Sequence, residues 1–430
     1  MDPRTIERIL KEEKIELLRL IITDSYGVPK AVEVPASRFK EAVDRGTVFD
    51  GSAIEGFIRK QEHDVRLVPD PDTFATLPWE TQVATARVIC DVTELSGDRF
   101  AGCPRGILRD VLDRFRVANL RVRIRPEIEF YLFERNGGAP TTDSPDAGGY
   151  FDLTPGDRGQ QVRREVVRRL EHMNIVVDSM HHEVSAGQHE IDLAFQDPLI
   201  CADQITTCRQ LLRQAAWEQD LHGTFMPRPK HTGPGSGLHL FITVEDAKGE
   251  PLCKNGSPTR LGGAFVAGIL EHARGLCALT NPLVNSYKRL VPDTEAPTHV
   301  FWSRKNKNPL VRIVDDHIEF RLADPSCNPY LAFAALLAAA LEGVQKGRKV
   351  QESIDKDIEL LSGRERGRLR AHELPVDLSE AIGWFSKDKL FREVLGDAVF
   401  KHYLSAKSAE WAAYIRQIHP WEIERYLATY

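Results

Sequence analysis

Apolar and polar residues alternate with period two in several stretches of this chain and recur near every 3.6 residues in others. In Arg125–Phe133 (Arg-Pro-Glu-Ile-Glu-Phe-Tyr-Leu-Phe), a strand would place Ile128, Phe130 and Leu132 on one face and Glu127, Glu129 and Tyr131 on the other. Gly237–Val244 repeats the pattern, with Leu238, Leu240, Ile242 and Val244 opposed to His239, Phe241 and Thr243. At Ile318–Leu322, Glu319 and Arg321 flank Phe320. Taken singly, an acidic pair can face solvent and a histidine can sit satisfied in a core. A fourth segment, His-His-Glu183-Val-Ser-Ala-Gly-Gln-His-Glu190, adds two more carboxylates, and four such segments together favour one shared acidic cavity. Buried carboxylates without partners cost several kcal/mol each. A hard divalent metal is the simplest cation that five carboxylates and one imidazole could share.

The remaining pattern predicts an α+β protein. A charged amphipathic helix opens at 4–14, followed by strands at Ile15–Thr23, Ala31–Val34 and Arg87–Val92. The turn-rich stretch Leu95–Pro104 separates these from a helix at Arg105–Arg116 and marks a boundary between a small domain (1–102) and a larger one (103–430). In the larger part we expect a strand at Leu120–Phe133, helices at Gln160–Met173, Asp197–His222 and Gly262–Leu279, and a strand at Ile175–His182. After Pro329 the chain reads as helical almost to its end.

With 430 residues the chain can bury a large core, and 42% apolar with 28% charged residues is ordinary for a globular protein. The net charge of -6 argues against nucleic-acid binding, and no stretch is long and apolar enough to span a bilayer. Seven dispersed cysteines without a C-x-x-C pair, and no signal-peptide pattern, point to reduced thiols in the cytoplasm.

Gly233-Pro234-Gly235-Ser236-Gly237 precedes a strand where a dinucleotide loop would precede a helix, and the chain has no Gly-Lys dipeptide for a Walker loop. If ATP binds, metals and cations must hold it; the candidates are Arg289, Lys305, Lys307, Arg312 and Arg321, although Arg304–Lys307 alone also fits a solvated basic loop. Asp50 lies in Phe-Asp-Gly-Ser-Ala-Ile-Glu-Gly-Phe, where Asp-Gly is equally simple turn chemistry.

These segments, in this order and over essentially the whole chain, closely resemble type I bacterial glutamine synthetase. The resemblance rests on Asp50-Gly-Ser-x-Ile-x-Gly-Phe, Glu-x-Glu-Phe, His-His-Glu-Val with Gly-Gln-His-Glu, Gly-Ser-Gly-x-His, Asn-Ser-Tyr-Lys-Arg-Leu-Val-Pro and Glu-x-Arg with Asn-Pro-Tyr-Leu. It implies a β-grasp N-terminal domain, a catalytic domain with a curved antiparallel sheet, and a dodecamer of two stacked six-membered rings with active sites between subunits. ATP would phosphorylate the γ-carboxylate of L-glutamate, and ammonia would then displace phosphate. Glu129, Glu183 and Glu190 would hold one Mg²⁺ or Mn²⁺, and Glu127, His239 and Glu319 the other. Asp50, from the adjacent chain, would help deprotonate ammonium, and Glu295 would close over the site and accept a proton. Arg289 and Arg321 would contact glutamate and the phosphoryl group, Gly235 would line the glutamate site, and Arg312 would bind the nucleotide phosphates. The tail Trp421–Tyr430 resembles one that embraces the opposite ring.

Five departures surround the substrates. Pro234 replaces a usual Asn, Ala53 a Ser, and Lys307 an Arg, so a bidentate fork becomes a point charge. Pro292-Asp-Thr-Glu295 replaces Pro-Gly-Tyr-Glu, and the stretch between Arg312 and Glu319 is short. No tyrosine occupies the adenylylation stretch, which matches the shorter, unadenylylated branch. The retained Asp50 and Glu295 favour ammonia as acceptor. A γ-glutamyl-amine ligase and a weakly active regulatory paralogue are the alternatives.

Overall fold

The computed structural model describes residues 1–51, 54, 63–292 and 294–430. Ala53, Asp293 and most of the motif after Asp50 lie outside the described residues. The N-terminal part is a six-stranded mixed sheet, β2-β1-β6-β4-β3 with β5 beside β6. Its strands are β1 (Leu17–Thr23), β2 (Pro29–Pro35), β3 (Thr47–Asp50), β4 (Asp64–Pro69), β5 (Ala75–Thr76) and β6 (Thr85–Glu94). β1 pairs antiparallel with β2 and parallel with β6. Helices α1 (Pro3–Glu12) and α2 (Phe39–Arg45) bury Ile6, Leu10 and Phe39 against Leu18, Leu20, Val88 and Val92. The sequence pattern did not reveal β3 and β4. β3 has only four residues and faces solvent at Val48 and Asp50, so it carries no apolar stripe.

α3 (Pro104–Val117) leads into a nine-stranded sheet of order β13-β14-β15-β12-β7-β10-β9, with β8 and β11 also on β7. These strands are β7 (Arg121–Asn136), β8 (Ala139–Pro140), β9 (Val177–His182), β10 (Gln188–Leu193), β11 (Leu221–Thr224), β12 (Leu238–Glu245), β13 (Trp302–Ser303), β14 (Val311–Val314) and β15 (His317–Phe320). All pairings are antiparallel except β13 with β14. Between them run helices α4 (Gly159–His172), α5 (Pro198–Glu218) and α6 (Arg260–Thr280), and α7 (Pro329–Gln345) follows the sheet. Every residue from Leu331 to Leu341 is buried, as expected of a helix apolar on all sides. The C-terminal helices are α8 (Leu378–Lys387), α9 (Lys389–Tyr414, broken at Gly396) and α10 (Pro420–Tyr426).

Two expectations are corrected. The helix read as Asp197–His222 stops at Glu218, because Asp220 takes a positive φ of 56° and Leu221–Thr224 turns back to pair with β7. After Pro329 the chain is not continuously helical: Gly347 (φ 58°) follows α7 in left-handed backbone, and 346–377 holds only a 3-10 turn at Ile358–Leu360, a short helix at Gly363–Arg368 and a two-residue strand at His372–Glu373. A charge network centred on buried Arg105 joins the N-terminal sheet to α3, α5 and α7. Arg105 donates to Asp203 of α5 (3.0 and 2.8 Å), to Asp91 of β6 (2.7 Å) and to Asp70 just after β4 (2.7 Å), while the Tyr330 hydroxyl donates to Asp203 (2.6 Å).

Candidate active site

Register assembles the acidic cluster. β7 is central, and its Glu129 lies directly opposite Glu190 of β10, while Glu127 lies opposite Asp192 on one side and His239 of β12 on the other. Glu319 of β15 pairs with Phe241, one strand further out. Directly opposed like charges destabilise a sheet, so this register calls for cations. Glu127, His239 and Glu319 offer ligand atoms within 4.8 Å of one another. His239 Nδ1 is 3.4 Å from Glu127 and 3.9 Å from Glu319, and its Nε2 is 3.8 Å from Glu129.

The other expected trio is only partly together. Glu183 and Glu190 group with His181, whose Nε2 is 3.2 Å from Glu190 and Nδ1 3.7 Å from Glu183. Glu129 is held by Gln188 Nε2 (3.1 Å) and the Gly237 N–H (3.0 Å). Glycine is needed at 237: a Cβ there would stand 2.7 Å from both Arg289 and the His239 ring.

Proton affinities divide the carboxylates. Burial, then the neighbouring Glu319 carboxylate, pushes Glu127 up to about 7. Burial and Glu183 push Glu129 up to about 8. Glu190 is raised well above the ordinary range by burial and by Glu129, and burial raises Glu183 as well. Glu319 behaves oppositely. Burial alone would raise it, but Arg321 and Arg312 hold it below the usual carboxylate range. Arg312 Nε donates to Glu319 Oε2 (2.5 Å), and Arg321 donates to Oε1. Burial and Arg321 keep His239 neutral, with a nitrogen lone pair available to a metal. Glu129, Glu183 and Glu190, which pair with no guanidinium among the described residues, suit hard divalent cations beside the neutral imidazole.

A cavity of about 720 Å³ opens beside this cluster. It is lined by Glu129, Glu183, His239, Pro234, Gly235, Arg289, Glu295, Lys307 and Arg321. Arg289 is buried in its wall, donating to the carbonyls of Leu322 (2.9 Å) and Arg321 (3.1 Å). At the rim, exposed Lys307 reaches Glu295 at 3.4 Å. Pro234 has no side-chain donor or acceptor, and its carbonyl accepts from the Tyr131 hydroxyl (2.8 Å). Two expected residues lie elsewhere. Lys305 is exposed on a turn and does not line this cavity, and Asp50 is exposed at the end of β3 in the other sheet.

The short stretch after Arg312 is a tight hairpin with Asp315 at φ 51°. Beside it the structure gathers residues that the sequence did not single out. Arg125 lies 4.1 Å from the centroid of the Phe241 ring, His317 packs edge-on against Phe241 and Phe195, and Arg125 donates to Glu127 (3.0 Å). Only cross-strand register brings them together. His181 stood in the quoted His-His-Glu motif, and Asp192 follows Glu190 at the same-face spacing of two.

A family model described as "Glutamine synthetase, catalytic domain" matches residues 101–426, and one described as "Glutamine synthetase, beta-Grasp domain" matches 14–95. Glutamine synthetase of Thermus thermophilus is 44% identical over 441 residues, covering 99% of this chain and 98% of that protein. The Halobacterium salinarum enzyme is 41% identical over 433 residues, covering 98% and 95%. A solved structure described as "Apo GmaS without ligand" superposes with a TM-score of 0.88 at 30% identity, covering 98% of this chain and 99% of that one.

Proposed function

The chain belongs to the glutamine synthetase family, of the shorter type I branch, and from that premise we infer how its own residues carry the family's reaction. The reaction is the ATP-dependent joining of ammonia to the γ-carboxylate of L-glutamate, a C–N ligation that gives glutamine, ADP and phosphate. ATP and divalent metal are used throughout the family, and the convergence of Glu127, Glu129 and Glu319 on His239 is the observation that carries the reading.

In our assignment Glu127, His239 and Glu319 hold one Mg²⁺ or Mn²⁺, and Glu129, Glu183 and Glu190 hold a second. Bound there, the two cations would supply charge neutralisation for the phosphoryl group in transfer. Arg321 faces the same space from its ion pair with Glu319 and orients the reacting carboxylate and phosphoryl oxygens. Buried Arg289 and Gly235 shape the glutamate end of the cavity. Arg312 binds nucleotide phosphate from the hairpin, with Lys305 and Lys307 as further cations.

A γ-carboxylate oxygen of glutamate bonds to the γ-phosphorus as the bond to ADP breaks. Ammonia nitrogen then bonds to the acyl carbon as phosphate leaves. Glu295, on the rim beside Lys307, accepts the proton shed by nitrogen. Asp50 lies outside its own chain's cavity, which fits a residue donated to a neighbouring subunit to deprotonate ammonium.

The same reading divides the chain at 102/103 and assembles it as a dodecamer of two stacked hexameric rings. Its support is the exposed apolar tail, with Ile418, Trp421, Leu427 and Tyr430 facing outward. Seven buried, unpaired cysteines suit a reducing cytoplasm, and no helix among the described residues is long and apolar enough to cross a membrane.

Phosphate release from ATP with Mg²⁺ and L-glutamate tests the assignment, comparing ammonium with a panel of amines. Ammonium-dependent release is expected. Release only with an amine would make this a γ-glutamyl-amine ligase, and none with any acceptor would indicate a regulatory paralogue.

A further inference from the structure

Behind the acidic cavity lies a second set of titratable groups that the ligation does not use. His182 immediately precedes Glu183, and His189 precedes Glu190, so each histidine neighbours a cavity carboxylate while turning the other way. Both imidazoles are buried and meet nearly edge to face, with centroids 4.7 Å apart. Asp146, Asp157, His182 and His189 offer atoms within 4.8 Å of one another, but the cation of this cluster is Arg163. Its guanidinium donates to Asp157 (2.7 Å) and to His189 Nδ1. A neutral His189 therefore carries its proton on Nε2, which faces Asp146 Oδ2 at 3.8 Å. Neither of those two atoms has another hydrogen-bond partner among the described residues.

Asp146 Oδ1 is heavily used. It accepts from His182 Nε2 (2.9 Å), from the Gly187 N–H (3.0 Å) and from the Gly148 N–H (3.1 Å). His182 Nδ1 donates in turn to the Glu183 carbonyl (2.7 Å). His182 has an oxygen partner at each ring nitrogen. One carboxylate oxygen thus grips both ends of the turn between β9 and β10: Glu183 through His182, and Gly187 directly. The turn closes with Glu183 N–H to the Gln188 carbonyl (2.8 Å) and Gln188 N–H to the Ser185 carbonyl (2.7 Å). The fit is close, since a Cβ on Gly148 would stand 2.7 Å from His182 Nε2.

We propose that Asp146 is a positioning residue for metal binding: by clamping the 183–187 turn it fixes where the Glu183 and Glu190 carboxylates point. This rests on the assignment of Glu183 and Glu190 as metal ligands. Outer partners of ligands commonly change metal affinity by about 10- to 100-fold when removed.

Calorimetric titration of the metal-free full-length protein with Mn²⁺ tests it, comparing wild type, Asp146→Ala, Asp146→Asn and Glu190→Gln. Asp146→Ala should weaken one of two Mn²⁺ sites by about 10- to 100-fold and leave the other unchanged. Asp146→Asn keeps the shape but loses the charge, and should weaken the same site by at least about threefold. A merely structural role would lower the melting temperature without moving the dissociation constant. Wild-type affinity in Asp146→Ala, or in Asp146→Asn if the alanine variant does not fold, overturns the proposal. Unaltered binding in Glu190→Gln would instead overturn the ligand assignment, so the two failures are distinguishable.

Discussion

Glu319 and Glu129 project into the same space from neighbouring parts of one sheet, yet their surroundings differ in kind. Glu319 is completely buried, and Arg312 and Arg321 each hold one of its oxygens, so it stays ionised. Glu129 is nearly as buried but, among the described residues, has only an amide, Gln188, and a backbone N–H as donors, and its proton affinity rises to about 8. Glu190, directly across from it, is raised as well. One side of the cluster thus folds with its charge already neutralised, whereas the other folds with a deficit of positive charge. Such a deficit is what divalent cations would fill.

The strongest way to break this contrast is to remove charge from the uncompensated side. Glu129→Gln and Glu190→Gln should each lower kcat/KM for glutamine formation by about 10²- to 10⁴-fold, since a misplaced metal forfeits several kcal/mol of transition-state stabilisation. Steady-state assays at saturating Mg²⁺ check this, and near-normal rates would remove those residues from the metal site.

A second effect follows from the raised carboxylates. Glu127 and Glu129 bind protons more tightly folded, at about 7 and 8, than unfolded, near 4.3. Their contribution is fully present below the unfolded value and is lost as pH rises through the folded values. The metal-free protein should therefore lose on the order of a few kcal/mol between about pH 4.5 and 8. Melting curves in chelator would show the decline, and saturating Mn²⁺ should flatten it. A chelated protein equally stable at both ends of that window would argue against the charge deficit.

On the compensated side the effects are smaller. Arg312→Ala leaves Glu319 with Arg321 alone and should reduce activity by about 10- to 100-fold, chiefly through a higher KM for ATP. Lys307→Arg restores a guanidinium at an exposed rim position whose partner is Glu295, and should alter rates by less than about fivefold. Titrating ATP and ammonium against each variant separates the two.

The contrast also explains what the sequence revealed. Glu127, Glu129, His239 and Glu319 were legible because each interrupts a period-two apolar strand, and the other face of each strand goes into the core. β10, which carries Glu190, was not legible as a strand. All six of its residues are buried, yet Gln188, His189, Glu190 and Asp192 are polar, because one face meets the acid cavity and the other the Asp146–His182 cluster. The face that carries His189 has only Ile191 and Leu193 as apolar residues, an alternation too short to read as a strand. The Arg125, Phe195, Phe241 and His317 group was hidden for another reason: its members are local neighbours only once β7, β12 and β15 are in register. The motif resemblance supplied the fold, and the structure supplied the division of charge within the site.

The most direct measurement follows oxygen. L-Glutamate labelled with ¹⁸O in its γ-carboxylate would be incubated with enzyme, ATP, Mg²⁺ and ammonium, and the released phosphate analysed by mass spectrometry. If the carboxylate is phosphorylated before ammonia attacks, each glutamine formed yields phosphate carrying one oxygen from glutamate. Glutamine formed with unlabelled phosphate, or ATP hydrolysed without glutamine, would contradict the account.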